Sequence, residues 1–149
     1  MLEDLYQEVI LDHNRSPRNF GRMENADHHA DGHNPLCGDR VTIYLKIQGD
    51  ALADIRFEGS GCAISKASAS MMTESLKGKS LAEVERIFTG FHELLTGEPK
   101  KVKPQDDLLR KLVVFSGVRV FPVRVKCATL PWHTMRAALE NHHETATTE

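Results

Sequence analysis

Between Val41 and Glu58 the chain alternates apolar and polar residues twice over, and no other feature limits the possible fold as strongly. Val41, Ile43, Leu45 and Ile47 interleave with Thr42, Tyr44 and Lys46. After Gln48-Gly49-Asp50, Ala53, Ile55 and Phe57 interleave with Asp54, Arg56 and Glu58. A period of two places the apolar set on one side of each strand, so this stretch is a hairpin with one buried face. Helical periods flank it on both sides. The order helix, strands, helices predicts an α+β domain, a small antiparallel β-sheet packed against several helices.

The first helix is marked by Leu2, Leu5, Tyr6, Val9, Ile10 and His13 at three- and four-residue steps, with an acidic first turn, and its end is signalled from Asn14 to Pro17. From Phe20 to Asp39 no period is visible, and Gly21, Gly32, Pro35 and Gly38 punctuate a long polar segment of the kind that carries function. Cys62 stands at the entrance of a helix spaced by Ile64, Ala67, Met71, Met72 and Leu76. Ser80 and Glu83 form a capping box for a helix that buries Leu81, Val84, Ile87 or Phe88, and Phe91. A polar loop is expected from Thr96 to Gln105, and a short helix from about Asp106 to Val113. A β-prone stretch with Val118, Val120, Val123 and Val125 follows, interrupted by Pro122. The last helix is then expected to begin near Cys127, because Pro131 suits a first turn. A chain of 149 residues with 40% hydrophobic content can bury one core, so residues 1–141 are expected to form a single domain and 142–149 a polar, disordered tail.

Charge narrows the partners. The net charge is −2 and both signs are interspersed, which leaves no electrostatic footprint for nucleic acid. No apolar run approaches the roughly 20 residues that cross a bilayer, and Met1-Leu2-Glu3-Asp4 is acidic where a secretory signal would be basic, so no membrane role and a cytoplasmic location are expected. In a reducing compartment three widely spaced cysteines read as metal-binding or reactive. Cys37 is flanked by Pro35 and Gly38 on a loop, whereas Cys62 and Cys127 fall at expected helix starts, where free N–H groups favour a thiolate. Three cysteines leave tetrahedral zinc one ligand short, and Asp39 stands two residues from Cys37 to supply an oxygen. His28, His29 and His33 read as solvated loop residues, His133 as surface, and Met71, Met72 and Trp132 as core. Gly59-Ser60-Gly61 lacks a P-loop lysine and reads as flexible backbone around Cys62.

Three segments carry a resemblance. Asn34-Pro35-Leu36-Cys37-Gly38-Asp39, Gly59-Ser60-Gly61-Cys62-Ala63-Ile64-Ser65-Lys66-Ala67-Ser68 and Arg124-Val125-Lys126-Cys127-Ala128-Thr129-Leu130 resemble the signature segments of the IscU/SufU family. Leu5-Tyr6-Gln7, Asp12-His13 and Pro17-Arg18-Asn19-Phe20-Gly21 are similar to that family too, in the same order. IscU scaffolds carry a histidine before the third cysteine and a short interval between the second and third. Here the position is Lys126 and the interval is long, which resembles the SufU branch.

That resemblance implies Zn²⁺ held by Cys37, Asp39, Cys62 and Cys127, and a sulfurtransferase role as the sulfur-relay partner of a SufS-type cysteine desulfurase. Cys37 would be the sulfur acceptor, Arg124 a modulator of the thiolates near the metal, and a downstream iron–sulfur assembly scaffold the recipient. A thiolate bound to zinc is a blunted nucleophile, so acceptance of sulfur requires one ligand to come free. The rival expectations are a scaffold that assembles an iron–sulfur cluster on the same cysteines, and a zinc module that uses them only to fold.

Overall fold

Three antiparallel strands, β1 (His28–Asn34), β2 (Asp39–Gln48) and β3 (Ala51–Ser60), form a sheet ordered β3-β2-β1. The structure is a computed structural model and describes residues 2–35, 38–96, 122–140 and 146–147. Cys37, the polar loop up to Gln105, the short helix expected near 106–113, the strand positions Val118 and Val120 and most of the 142–149 tail lie outside these residues. Within that tail, β4 (Ala146–Thr147) pairs parallel to β1 at Gly32 and His33.

The expected hairpin is present, with one change of register. Val41, Ile43 and Leu45 point into the core from β2, and Ile55 and Phe57 from β3. The residue that fills the end of the buried row is Leu52, fully buried, rather than Ala53. Lys46 pairs with Asp54 but Ile47 pairs with Leu52, so Ala53 is the extra residue of a β-bulge and the inward phase shifts by one. β1 is a second departure from expectation, since it runs through the segment that shows no period. Its residues include Gly32, Asp31 and three histidines, so its pairing with β2 rather than side-chain alternation makes it a strand. A Cβ at Gly32 would overlap Thr134, and its absence lets the last helix lie close against the strand.

Four helices supply the rest: α1 (Leu2–Arg15), α2 (Ala63–Leu76), α3 (Leu81–Thr96) and α4 (Pro122–Leu139). α4 packs on β1, β2 and α2; α2 also touches β3 and carries α1 on its outer side, while α3 packs against α4. Glu83 N–H donates to Ser80 Oγ at the start of α3, one half of a capping box, while the Glu83 carboxylate pairs with Arg86. Met72 and Trp132 are core residues, and Trp132 stacks on Phe91 with ring centroids 4.3 Å apart. His133 is half-buried between Phe88 and His92, not on the surface.

The third departure concerns α4. It begins at Pro122, so Val123 and Val125 are helical and Cys127 sits in the second turn instead of at the start. Pro122 is the proline that occupies a first turn, where its missing N–H costs nothing. Pro131 lies inside the helix and cannot donate to the Cys127 carbonyl four residues back; burial of α4 against the sheet and α2 offsets a penalty of about 3 kcal/mol.

Candidate metal centre

The site is built where β2 begins, β3 ends and α4 passes by. Asp39 opens β2, directly opposite Asn34 in the β1 pairing, and both are fully buried. Two residues beyond the end of β3, Cys62 is the N-cap of α2, and its sulfur accepts the Ser65 N–H at 3.4 Å. The Cys62 N–H donates to Asp39 Oδ1 at 2.7 Å, and its thiol faces Oδ2 at 3.4 Å. Gly61 makes this contact possible. It has φ +148°, and a Cβ there would overlap the Asp39 carboxylate and Cα. The segment expected to be flexible is therefore a tight passage that seats Cys62 on Asp39.

Cys127 enters from α4, 3% exposed, with its sulfur accepting the Asn34 side-chain amide at 3.7 Å. One ligand atom from each of Asp39, Cys62 and Cys127 lies within 4.8 Å of the others. Three of the four residues expected as metal ligands thus converge from three elements, and the fourth, Cys37, lies outside the described residues. In sequence it belongs to the short connection between Asn34 and Asp39, whose ends are tied by a Gly38 N–H to Asn34 carbonyl bond of 2.8 Å. Arg124 is exposed in the first turn of α4, three residues before Cys127 and therefore on a neighbouring position of the same face. His28, His29 and His33 contribute nothing to this cluster: the His28 ring bonds the Ala138 carbonyl and His29 stacks on Tyr44.

The electrostatics fit a bound cation. Burial first, and then the Asp39 carboxylate, push the Cys62 thiol above its ordinary value, against the pull of the Ser65 N–H and Cys127. Among the described residues no lysine or arginine pairs with the buried Asp39 carboxylate. Two thiols and a buried carboxylate form a sulfur-and-oxygen donor set, and a divalent ion among them would supply the charge that the site lacks. Asn34 is the residue at this site that the sequence does not mark. It stands in the first cysteine segment, but neither period nor spacing shows that its amide reaches a sulfur far along the chain.

An α+β fold with thiols and a carboxylate converging at one end of a three-stranded sheet defines a class of proteins able to hold a metal ion at cysteine. The family described as NifU-like N terminal domain matches residues 5–128, and the chain belongs to this IscU/SufU family of iron–sulfur cluster assembly proteins. It is 42% identical over 136 residues to the zinc-dependent sulfurtransferase SufU of Bacillus subtilis, covering 90% of this chain and 88% of that one. It is 35% identical over 139 residues to the iron–sulfur cluster assembly scaffold protein IscU of Streptococcus pyogenes, covering 93% and 85%. The crystal structure of a candidate iron–sulfur cluster assembly scaffold protein for the SUF system from Fervidobacterium islandicum superposes with a TM-score of 0.79 at 36% identity, covering 89% of this chain and 94% of that one. The α+β architecture and the family read from the three cysteine segments are both borne out. Among the described residues no helix is long and apolar enough to cross a membrane.

Proposed function

We propose that this chain is a zinc-dependent sulfur carrier in iron–sulfur cluster assembly, with Zn²⁺ held by Cys37, Asp39, Cys62 and Cys127. The observation that carries the reading is the convergence of Asp39, Cys62 and Cys127, in a chain similar to a zinc-dependent sulfurtransferase. Bound there, zinc would keep the cysteine sulfurs deprotonated without changing oxidation state. The residues divide the work. Asp39 and Cys62 are fixed to each other by backbone and side-chain bonds, and Cys127 is fixed by α4. In sequence Cys37 lies between Pro35 and Gly38, turn-forming residues that suit a connecting segment carrying function. It is the ligand that comes free and reacts: the released Cys37 thiolate attacks the outer sulfur of a persulfide on a SufS-type cysteine desulfurase. A new S–S bond forms at Cys37, the old one breaks, and the desulfurase cysteine leaves as a thiolate. The sulfur then passes to a downstream assembly scaffold, and Arg124, one helical turn from Cys127, modulates the thiolates through its charge.

The test combines metal analysis with persulfide mapping. As-purified protein is expected to hold one zinc per chain. After incubation with desulfurase and free cysteine, alkylation and peptide mass spectrometry are expected to find the added sulfur on Cys37. Cys37→Ser should fold and neither accept sulfur nor stimulate the desulfurase. Iron with acid-labile sulfide in place of zinc would support the scaffold reading, which relatives named IscU favour. Persulfide chiefly on Cys62 or Cys127 would overturn the assignment of Cys37.

A further inference from the structure

Asn34 is a neutral polar side chain with no exposed surface, at the end of β1 where three parts of the site meet. Its Cα is the partner of Asp39 in the β1–β2 register, and its carbonyl accepts the Gly38 N–H at 2.8 Å. Its side-chain amide donates to Cys127 Sγ at 3.7 Å. One residue therefore holds the base of the Cys37 connection and, through the amide, the sulfur on α4. A buried amide is held in place only by its hydrogen bonds, and an N–H aimed at a sulfur withdraws charge from it.

We infer that Asn34 is a positioning residue that keeps Cys127 in the ligand set and damps its nucleophilicity, so that sulfur acceptance is directed to Cys37. The inference rests on the metal-centre reading given above. Two sulfurs of equal reactivity would let a persulfide form on either. Cys62 is distinguished from Cys37 by its place at the α2 N-cap and its bonds to Asp39 and Ser65. Cys127 sits inside a helix, where its sulfur faces the Cys62 thiol, and the Asn34 amide adds a restraint of its own from β1.

Asn34→Asp keeps the shape and removes the donor, and Asn34→Leu removes polarity altogether. Zinc-loaded wild-type and variant proteins are treated with iodoacetamide, and the rate at each cysteine is read by peptide mass spectrometry beside the zinc content. Cys127 is expected to react about tenfold faster in Asn34→Asp, the size of effect that loss of an outer hydrogen bond to a metal ligand carries, with the Cys62 rate unchanged. An unchanged Cys127 rate, or Cys127 and Cys62 rising together as in general loosening, overturns the inference and leaves the metal reading standing. Wild-type protein that binds no zinc overturns the metal reading and this inference with it. If neither variant folds, the wild-type protein decides: the Asn34 side-chain amide proton is expected to be shifted and protected from exchange in NMR spectra, and an amide exchanging as freely as exposed ones overturns the inference.

Discussion

Asp39 and Cys62 belong to one stretch of chain, the hairpin and the first turn of α2, whereas Cys127 reaches them across the core on α4. In the first region the backbone does the positioning. The β2–β3 register sets Arg40 opposite Ser60, the next residues bring Gly61 onto Asp39, and the carboxylate receives the Cys62 N–H. In the second region side-chain packing does it: Ser68 on α2 donates to the Ala128 carbonyl at 2.5 Å and accepts Trp132 Nε1 at 3.1 Å, while Trp132 stacks on Phe91. Backbone positioning fails abruptly when one atom is added, and packing gives way by degrees. The largest expected effect tests the first half of that contrast. Gly61→Ala places a Cβ on Asp39 at a strained φ and should cost about 3 kcal/mol and most of the zinc affinity. Gly49→Ala, at φ +62° in the hairpin turn with nothing near the new Cβ, should cost only about 1 kcal/mol and leave zinc binding unchanged. Denaturant melts and chelator competition measure both, and equal losses in the two variants would break the comparison.

A smaller effect is expected where packing positions the ligand. Ser68 is fully buried and its hydroxyl serves both Ala128 and Trp132, so Ser68→Ala strands an indole N–H and should cost about 2 kcal/mol. The seating of α4 on α2 should loosen without the site collapsing. Zinc is then released a few times faster, and the emission of Trp132, the chain's one tryptophan, shifts. A loss of zinc as complete as in Gly61→Ala would mean that Cys127 depends on local geometry as strictly as Cys62 does.

The same division explains how far the sequence could be read. Cys62 was legible because the signals that place it are local, a glycine pair and a cysteine at a helix start, whereas Asp39, at the end of a segment that reads as polar and irregular, is the fully buried first residue of β2. The hairpin phase was missed at one point, since a bulge at Ala53 depends on how two strands meet and leaves no period of its own. β1 was illegible for a related reason, because Gly32 and three histidines carry no strand pattern and become a strand only by pairing with β2. The start of α4 is illegible because two prolines compete for the first turn: Pro122 takes it, and Pro131 survives inside the helix because tertiary burial overrides its local cost. Asn34 could not be found at all, since its partner Cys127 is near it only in the fold.

The smallest expected effect is on pH dependence, and it sets the two regions side by side once more. His13 on α1 lies behind the Cys62 helix, hydrogen bonded to Ser70 at 2.6 Å, and His133 on α4 lies behind Cys127 against Phe88 and His92. Burial is the main cause that lowers both from the ordinary 6.5; Arg18 adds to it at His13, against Glu74 and Asp12, and His92 and Arg136 add to it at His133. In the folded chain each histidine stays neutral at a pH where the unfolded chain already takes up a proton. Their contribution to stability is therefore fully present above about pH 6.5 and is lost as the pH falls from there through the folded pKa. Melting temperatures taken with chelator present, so that acid release of metal does not enter, should fall by a few degrees between pH 7.5 and 5. His13→Gln and His133→Gln should each flatten that slope, and His133→Gln should do so more, because among the described residues no acidic group pulls against burial at His133 while two do at His13. A steeper flattening by His13→Gln would place the acid-sensitive contact behind Cys62, in the region whose geometry is otherwise set by the backbone.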